Sequence, residues 1–182
     1  MQMEMFEAEY QVNLQDFRRA SYYGLFLRYR KPLLLMFLVV AGGLVYGIAG
    51  ALGAGEINYL VLFLAGAYLI WGLVLFAGQE KEIKKYIESG SGLLKCTYHL
   101  IIDRKRMRIS IPEREISANY SLSKLAGAFE LSSLFLIYVS PQETYIVPVR
   151  EMTDQQRFAL RTLLRKELGQ RFSSRFEKAG QR

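Results

Sequence analysis

The sequence predicts two joined parts: a membrane α-helical hairpin, and an α+β domain in which a small antiparallel, barrel-like sheet is closed by a C-terminal helix. Three observations predict it. Residues 32–55 and 57–78 are runs of twenty-four and twenty-two residues without a charge, with Glu56 alone between them. About 20 apolar helical residues cross a bilayer core of about 30 Å. Beyond residue 92 the chain alternates apolar and polar residues, the period of half-buried strands. It then returns to helical spacing behind Thr153 and Gln156, which are spaced as a capping box.

The N-terminal segment, 1–31, opens with an alternation. Phe6, Ala8, Tyr10 and Val12 fall on one face, Glu7, Glu9 and Gln11 on the other. Such a strand leaves one apolar face and its backbone groups unpaired, so residues 6–12 are expected to add to the edge of the C-terminal sheet, across the hairpin. Asn13 can cap a helix whose third residue, Asp16, suits a helix N-terminus. That helix, LQDFRRASYYGLFLRYRK, mixes aromatic and basic side chains, a composition suited to the headgroup layer.

Pro32 then fits the first turn of the first span. A signal peptide is the first rival reading of this region. It fails on the 31 preceding residues, the length of the run and the second run after it. Buried helices of a soluble protein would show a polar face, and these runs offer only Asn58 and three tyrosines. Gly43 and Gly47 have the small-xxx-small spacing that lets helix backbones approach closely in lipid, within the protein or between copies. The run GIAGALGAG lacks the preceding strand and following soluble helix that a phosphate loop needs; it is helix packing. Arg28, Arg30 and Lys31 precede the first span and Lys81, Lys84 and Lys85 follow the second. Positive residues stay on the cytoplasmic side, so both termini are expected there.

Residues 79–92 read as a short charged juxtamembrane helix and a Ser-Gly join. The domain proper is expected over 93–172, with a flexible tail over 173–182. Strands are predicted at Leu94–Ile102, Met107–Ile111, Ile116–Tyr120, Ala128–Leu131, Leu134–Val139 and Thr144–Val147. The first hairpin turns through Asp103-Arg104-Lys105-Arg106 without the glycine such turns favour. The last helix is expected to bury Phe158, Leu160, Leu163, Leu164 and Leu168.

Two adjacent spans, a meander of short strands, and a strand ending Ile-Val-Pro-x-Arg before a terminal helix resemble the YcxB-like family of bacterial membrane proteins. The matching stretches are YHLIIDRKRMRIS, YSLSKL and LFLIYVSPQETYIVPVREMT, and the resemblance covers about Phe6 to Phe172. It implies a pleckstrin-homology-like (PH-like) domain and a bacterial plasma membrane, and brings no reaction. Two departures touch turn geometry: Arg104 follows Asp103 where the family has glycine, and Tyr120-Ser121-Leu122 holds the place of an aromatic-Ser/Asp-x-Ile step. Within the matching C-terminal stretch, Pro148 removes a ladder donor and ends the last strand, and Arg150 stands where the chain changes direction.

Little in the sequence carries chemistry. His99 and Cys96, the single histidine and cysteine, are three apart on a strand and face opposite ways. They cannot form a nucleophile–base pair and fall short of a zinc site. Neither span holds an ionisable residue, so no proton or ion path is expected. The expectation is therefore no catalytic, cofactor or metal residue, and no enzyme. What remains is basic surface. Residues 79–182 hold nineteen Lys/Arg against twelve Asp/Glu and carry the whole net charge of +7. Arg104, Lys105, Arg106 and Arg108 cluster on the first hairpin as a candidate anionic-lipid contact, each worth about 1 kcal/mol near such a surface. Arg157, Arg161 and Arg165 recur on the last helix and read first as a solvated positive face. A chain fixed at a membrane meets anionic lipid before nucleic acid, so the expected partners are membrane lipid and a protein partner or self-association, not nucleic acid. The function expected is a non-catalytic interaction or sensing module. The alternative is a subunit of a membrane-associated enzyme or transport complex whose active site lies in a partner.

Overall fold

The computed structural model describes residues 5–53, 58–88, 94, 96–103 and 105–174. Contacts divide the chain into two compact units, Ser21–Gly90 and, together, Met1–Ala20 with Ser91–Arg182. The division falls inside the first helix.

The helical unit contains the end of α1 (Leu14–Arg28), then α2 (Arg30–Ala51) and α3 (Tyr59–Glu88), with the break between α1 and α2 at Tyr29. The charged stretch after Gly78 is no separate helix: α3 runs unbroken through Gly78 to Glu88. Its 30 residues, at about 1.5 Å each, exceed a bilayer core. Both α2 and α3 are long and apolar enough to cross a membrane, and only 11% and 6% of their most apolar windows are buried. A soluble core helix would be mostly covered. These helices instead turn Phe37 and Phe63 outward, 66% and 70% exposed. Gly43 lies where a Cβ would overlap the Ala65 Cβ, and a Cβ on Gly47 would come within 3.2 Å of Leu62. The glycine spacing is thus used between α2 and α3 of one chain. From α1, the Tyr22 and Phe26 rings pack tilted against Phe76 at 6.1 and 6.0 Å, and the Tyr22 hydroxyl donates to Glu80 Oε1 at 2.6 Å.

The second unit begins with β1 (Met5–Gln11). It continues with β2 (Thr97–Asp103), β3 (Arg106–Ile111), β4 (Ile116–Ser121), β5 (Gly127–Glu130), β6 (Leu134–Tyr138) and β7 (Thr144–Pro148), then α4 (Asp154–Leu168) and β8 (Phe172–Ser174). Two four-stranded sheets result, ordered β1-β2-β3-β4 and β7-β6-β5-β8. No strand ladder joins them among the described residues, so the arrangement is a pair of sheets where a barrel-like closure was expected. β1 pairs antiparallel with β2, Phe6 opposite Ile102 and Tyr10 opposite Tyr98, as the unpaired alternation required. The Tyr10 and Tyr98 rings stack at 5.4 Å.

Alternation then decides what is buried. The inner rows of β1, β2 and β3 enter one core with Phe135 and Ile137 of β6 and Leu160, Leu164 and Leu168 of α4. β6 is buried from Leu134 to Ile137, on both faces, as suits a central strand. α4 starts at the predicted capping box, Thr153 accepting from the Gln156 amide at 3.2 Å and Gln156 Oε1 from the Thr153 amide at 2.9 Å. Phe158, expected in the core, is 65% exposed; it lies two residues from Leu160, about 200° around a helix of 3.6 residues per turn. Gly169 closes α4 with φ +55, a backbone state glycine reaches without a Cβ penalty. β8, absent from the sequence expectation, pairs parallel with β5 and takes in Ser173 and Ser174, which the sequence placed in a flexible tail.

Candidate functional site

The basic hairpin is built by Asp103. Its Oδ1 accepts from the backbone amides of Lys105 at 2.8 Å and Arg106 at 2.7 Å, the side-chain turn by which aspartate replaces a missing glycine. Those two backbone hydrogen bonds first, and then the nearby Arg106 and Arg108 charges, hold the Asp103 carboxyl below its ordinary range. The turn therefore keeps its cap at neutral pH. Met107 and Ile109 point into the core while Arg106 and Arg108 stand exposed on the outer face, with Lys105 exposed at the turn. None of these three forms an ion pair with a described residue. Arg104 lies outside the described residues. The outer face is not uniformly positive, because Glu7 and Glu9 occupy it on β1. Glu7 faces Ile101, which in turn faces Arg108, so acid and base stand two strands, about 10 Å, apart. The free positive charge is concentrated at the turn.

The arginines of α4 do something else. Glu130, at the end of β5, is 1% exposed. Arg157 Nε donates to its Oε1 at 3.0 Å, Arg161 Nε to its Oε2 at 2.6 Å and Arg161 Nη2 to its Oε1 at 2.5 Å; Ser174 Oγ donates to its Oε2 at 2.8 Å. Burial alone would raise this carboxyl, but the hydrogen bonds of Arg161, Ser174 and Arg157 outweigh it and hold it below the ordinary glutamate range. Arg157 and Arg161 are thus an internal clamp on a buried carboxylate rather than a solvated face. This cluster was not visible in the sequence, since Glu130 lies 27 residues from Arg157 with no local motif joining them.

Arg150 also has a structural post. After Pro148 the chain makes a one-turn 3-10 helix over Val149–Glu151. Arg150 pairs through Nη1 with Asp16 and donates from Nη2 to the Gln11 carbonyl at 2.8 Å and to Glu151 at 3.0 Å. Glu151 in turn accepts from the Gln11 amide at 3.0 Å. Asp16, 3% exposed, caps α1 with Asn13: the Asp16 amide donates to Asn13 Oδ1 at 2.8 Å and the Asn13 amide to Asp16 Oδ2 at 3.2 Å. The end of β7 is therefore fastened to the β1–α1 junction.

Cys96 is buried and His99 stands half-exposed, Nδ1 3.7 Å from Glu9 Oε2. No metal-binding group of three or more His, Cys, Asp or Glu occurs among the described residues. Comparisons with protein-family models, with curated proteins and with solved structures find no match.

Proposed function

We propose that the chain is a membrane-anchored, non-catalytic interaction module whose basic hairpin contacts anionic lipid headgroups at the inner face of a bacterial plasma membrane. On this reading the sheet unit is a PH-like domain of the YcxB-like kind, with α1, α2 and α3 inserted between its first and second strands. Two successive antiparallel meanders followed by a helix support that assignment. The observation that carries the function is the exposed charge beside a side-chain cap: Lys105 and Arg106 are exposed, form no ion pair with a described residue, and donate their backbone amides to Asp103. Hydrogen bonds that fix the backbone at Lys105 and Arg106 reduce the entropy lost when their side chains meet a surface.

The test uses the full chain in nanodiscs, with an environment-sensitive fluorophore at Lys105→Cys in a Cys96→Ala background. In acidic lipid the emission should shift to the blue. The shift should vanish in neutral lipid and in high salt, since exposed charges are screened over about 8 Å at physiological ionic strength. It should also vanish when Arg104, Arg106 and Arg108 are changed to glutamine. The same spectrum in acidic and neutral lipid would remove the lipid contact from the proposal.

A further inference from the structure

Four strands form sheet edges, and they are not alike. β1 carries Glu7 and Glu9, and its Gln11 amide is taken by Glu151. β7 ends in Pro148, and the Tyr145 hydroxyl is tied to Glu143. β8 is three residues long. Charge, proline and shortness are the devices by which edges avoid pairing with other chains. β4 has none of them. It spans six residues, ISANYS, without a charge or a proline, and its register against β3 runs from Ile116 to Ser121 without a bulge.

Among the described residues no strand pairs with its outer edge; the Tyr120 side chain reaches Glu143 and Tyr145 at 2.7 and 3.0 Å. Leu122 donates to the Lys105 carbonyl at 2.9 Å, one step beyond the Arg106–Ser121 pair. Antiparallel ladders alternate bonded and non-bonded pairs, so Ala118 and Tyr120 direct their backbone groups to β3 while Ser117 and Asn119 direct theirs away. Both are exposed. Ile116, on the inner row of β4 opposite buried Ile111, is 44% exposed. An apolar row and a row of amides and carbonyls without a partner among the described residues therefore end together at one edge.

We propose that this edge is a self-association site, where β4 strands of two copies pair antiparallel about a two-fold axis at Ala118 and join two four-stranded sheets into one. Several features favour a second copy as the occupant. A two-fold contact sets each patch against itself, which puts like charges opposite in a charged strand, and β4 has none. Pairing about Ala118 sets Ser117 of each copy opposite Asn119 of the other. Those are the residues whose N–H and C=O groups face outward, so each such pair exchanges two hydrogen bonds. The same register sets Ile116 opposite Tyr120 of the second copy, a β-branched residue against an aromatic one, while the Tyr120 ring keeps its place 5.8 Å from the Tyr145 ring of its own chain with its hydroxyl donating to Glu143 at 2.7 Å. Inner row meets inner row throughout. A one-residue slip would set the apolar row against the polar one.

The test is made on the full chain in detergent, in a Cys96→Ala background. Ala118→Cys, at the axis, should form a covalent dimer on mild oxidation. Glu7→Cys, at the opposite edge of the same sheet, should not. Without oxidation the parent should have the mass of a dimer by light scattering. Asn119→Lys should shift it to monomer with an unchanged circular dichroism spectrum at room temperature, because its side chain is exposed and its backbone does not pair with β3; its melting temperature should fall, since the dimer no longer stabilises the fold and the lysine stands opposite Arg108. Amides of Ser117 and Asn119 should exchange slowly in the dimer and fast in that variant. A monomeric parent, equal crosslinking at the two cysteine positions, or a dimeric Asn119→Lys would each overturn the proposal. Slow exchange of these amides in a monomer would mean that another part of this chain covers the edge, and a one-to-one complex with a different protein would make β4 a hetero-contact; either result overturns self-pairing too.

Discussion

At the scale of single residues, Glu130 ties β5, α4 and β8 together, since its carboxylate takes hydrogen bonds from Arg157, Arg161 and Ser174. Its folded pKa is depressed, so the stability it contributes is present above the unfolded glutamate value of about 4.3. That stability is lost as pH falls below that value through the lower folded one. Unfolding midpoints should therefore drop across that acid window, and the drop should be shallower in Glu130→Gln. Breaking a buried pair from one side costs about 3–5 kcal/mol. Glu130→Ala should sit at the lower end, because Arg157 and Arg161 keep 20% and 25% of their side-chain surface and can rehydrate. Arg150 allows a second comparison. Its fork reaches Asp16 and the Gln11 carbonyl together, and a lysine ammonium has no such fixed fork. Hydrogen bonds to charged groups contribute about 1.5–3 kcal/mol, so Arg150→Ala should lower thermal stability by that order, with Arg150→Lys between. Equal melting points for parent and Arg150→Ala would show that the Asn13–Asp16 cap holds the junction alone. Neither role was legible in the sequence. The four-residue arginine spacing on α4 was visible, but the partner that gives it meaning comes from another element, and spacing alone cannot separate a buried clamp from a wet face.

Elements were more legible, because periodicity reports burial directly. All six predicted C-terminal strands are present, and β1 could be paired in advance because a strand with one apolar face must find a sheet. β8 escaped for the opposite reason: three residues are too few to show a period, and its place depends on Gly127 in β5, where a Cβ would lie 2.9 Å from the Arg171 carbonyl oxygen. For the helical pair, the glycine spacing was readable but its partner was not. Gly43 faces Ala65, whereas a Cβ on the adjacent Gly42 would meet nothing within 4 Å. Ala65 has no rotamer with which to yield, so Gly43→Ala must push α2 and α3 apart. Overpacking of this kind costs about 1–3 kcal/mol. Gly42→Ala should be neutral or slightly stabilising, since alanine is the better helix former. Thermal unfolding of the two variants in the same detergent decides the matter; equal losses would mean that the contact between these helices tolerates the added methyl.

For the whole molecule, strand pairing constrains topology more tightly than charge does. β1 and β2 are partners in one sheet, with Met5 opposite Asp103 and Gln11 opposite Thr97, yet α2 and α3 lie between them in the chain. If one of those helices crossed a membrane and the other did not, β1 and β2 would be on opposite sides and the ladder could not form. The number of crossings between Gln11 and Thr97 must be even. On the proposed membrane-anchored reading, the two helices of spanning length and composition, with so little of their apolar surface buried, would make that number two. The sheet then excludes any topology with its two halves apart, and basic residues choose between the two remaining orientations. With two crossings, Arg28, Arg30 and Lys31 before α2 and Lys81, Lys84 and Lys85 late in α3 would flank the spans at the ends that lead to the strands, while Glu56 is the one charged residue between the apolar runs. By the positive-inside rule the proposed reading predicts that the side shared by both halves of the sheet is cytoplasmic. Reporters fused before Met1 and after Arg182 should both be active in the cytoplasm, and a reporter inserted beside Glu56 should be active outside it. Replacing the six flanking basic residues with glutamine should weaken the orientation preference but leave the two terminal reporters in agreement, because the β1–β2 ladder binds them to one side. A chain whose termini report from opposite sides would contradict the ladder itself, whereas termini that agree but face outward would contradict only the charge argument.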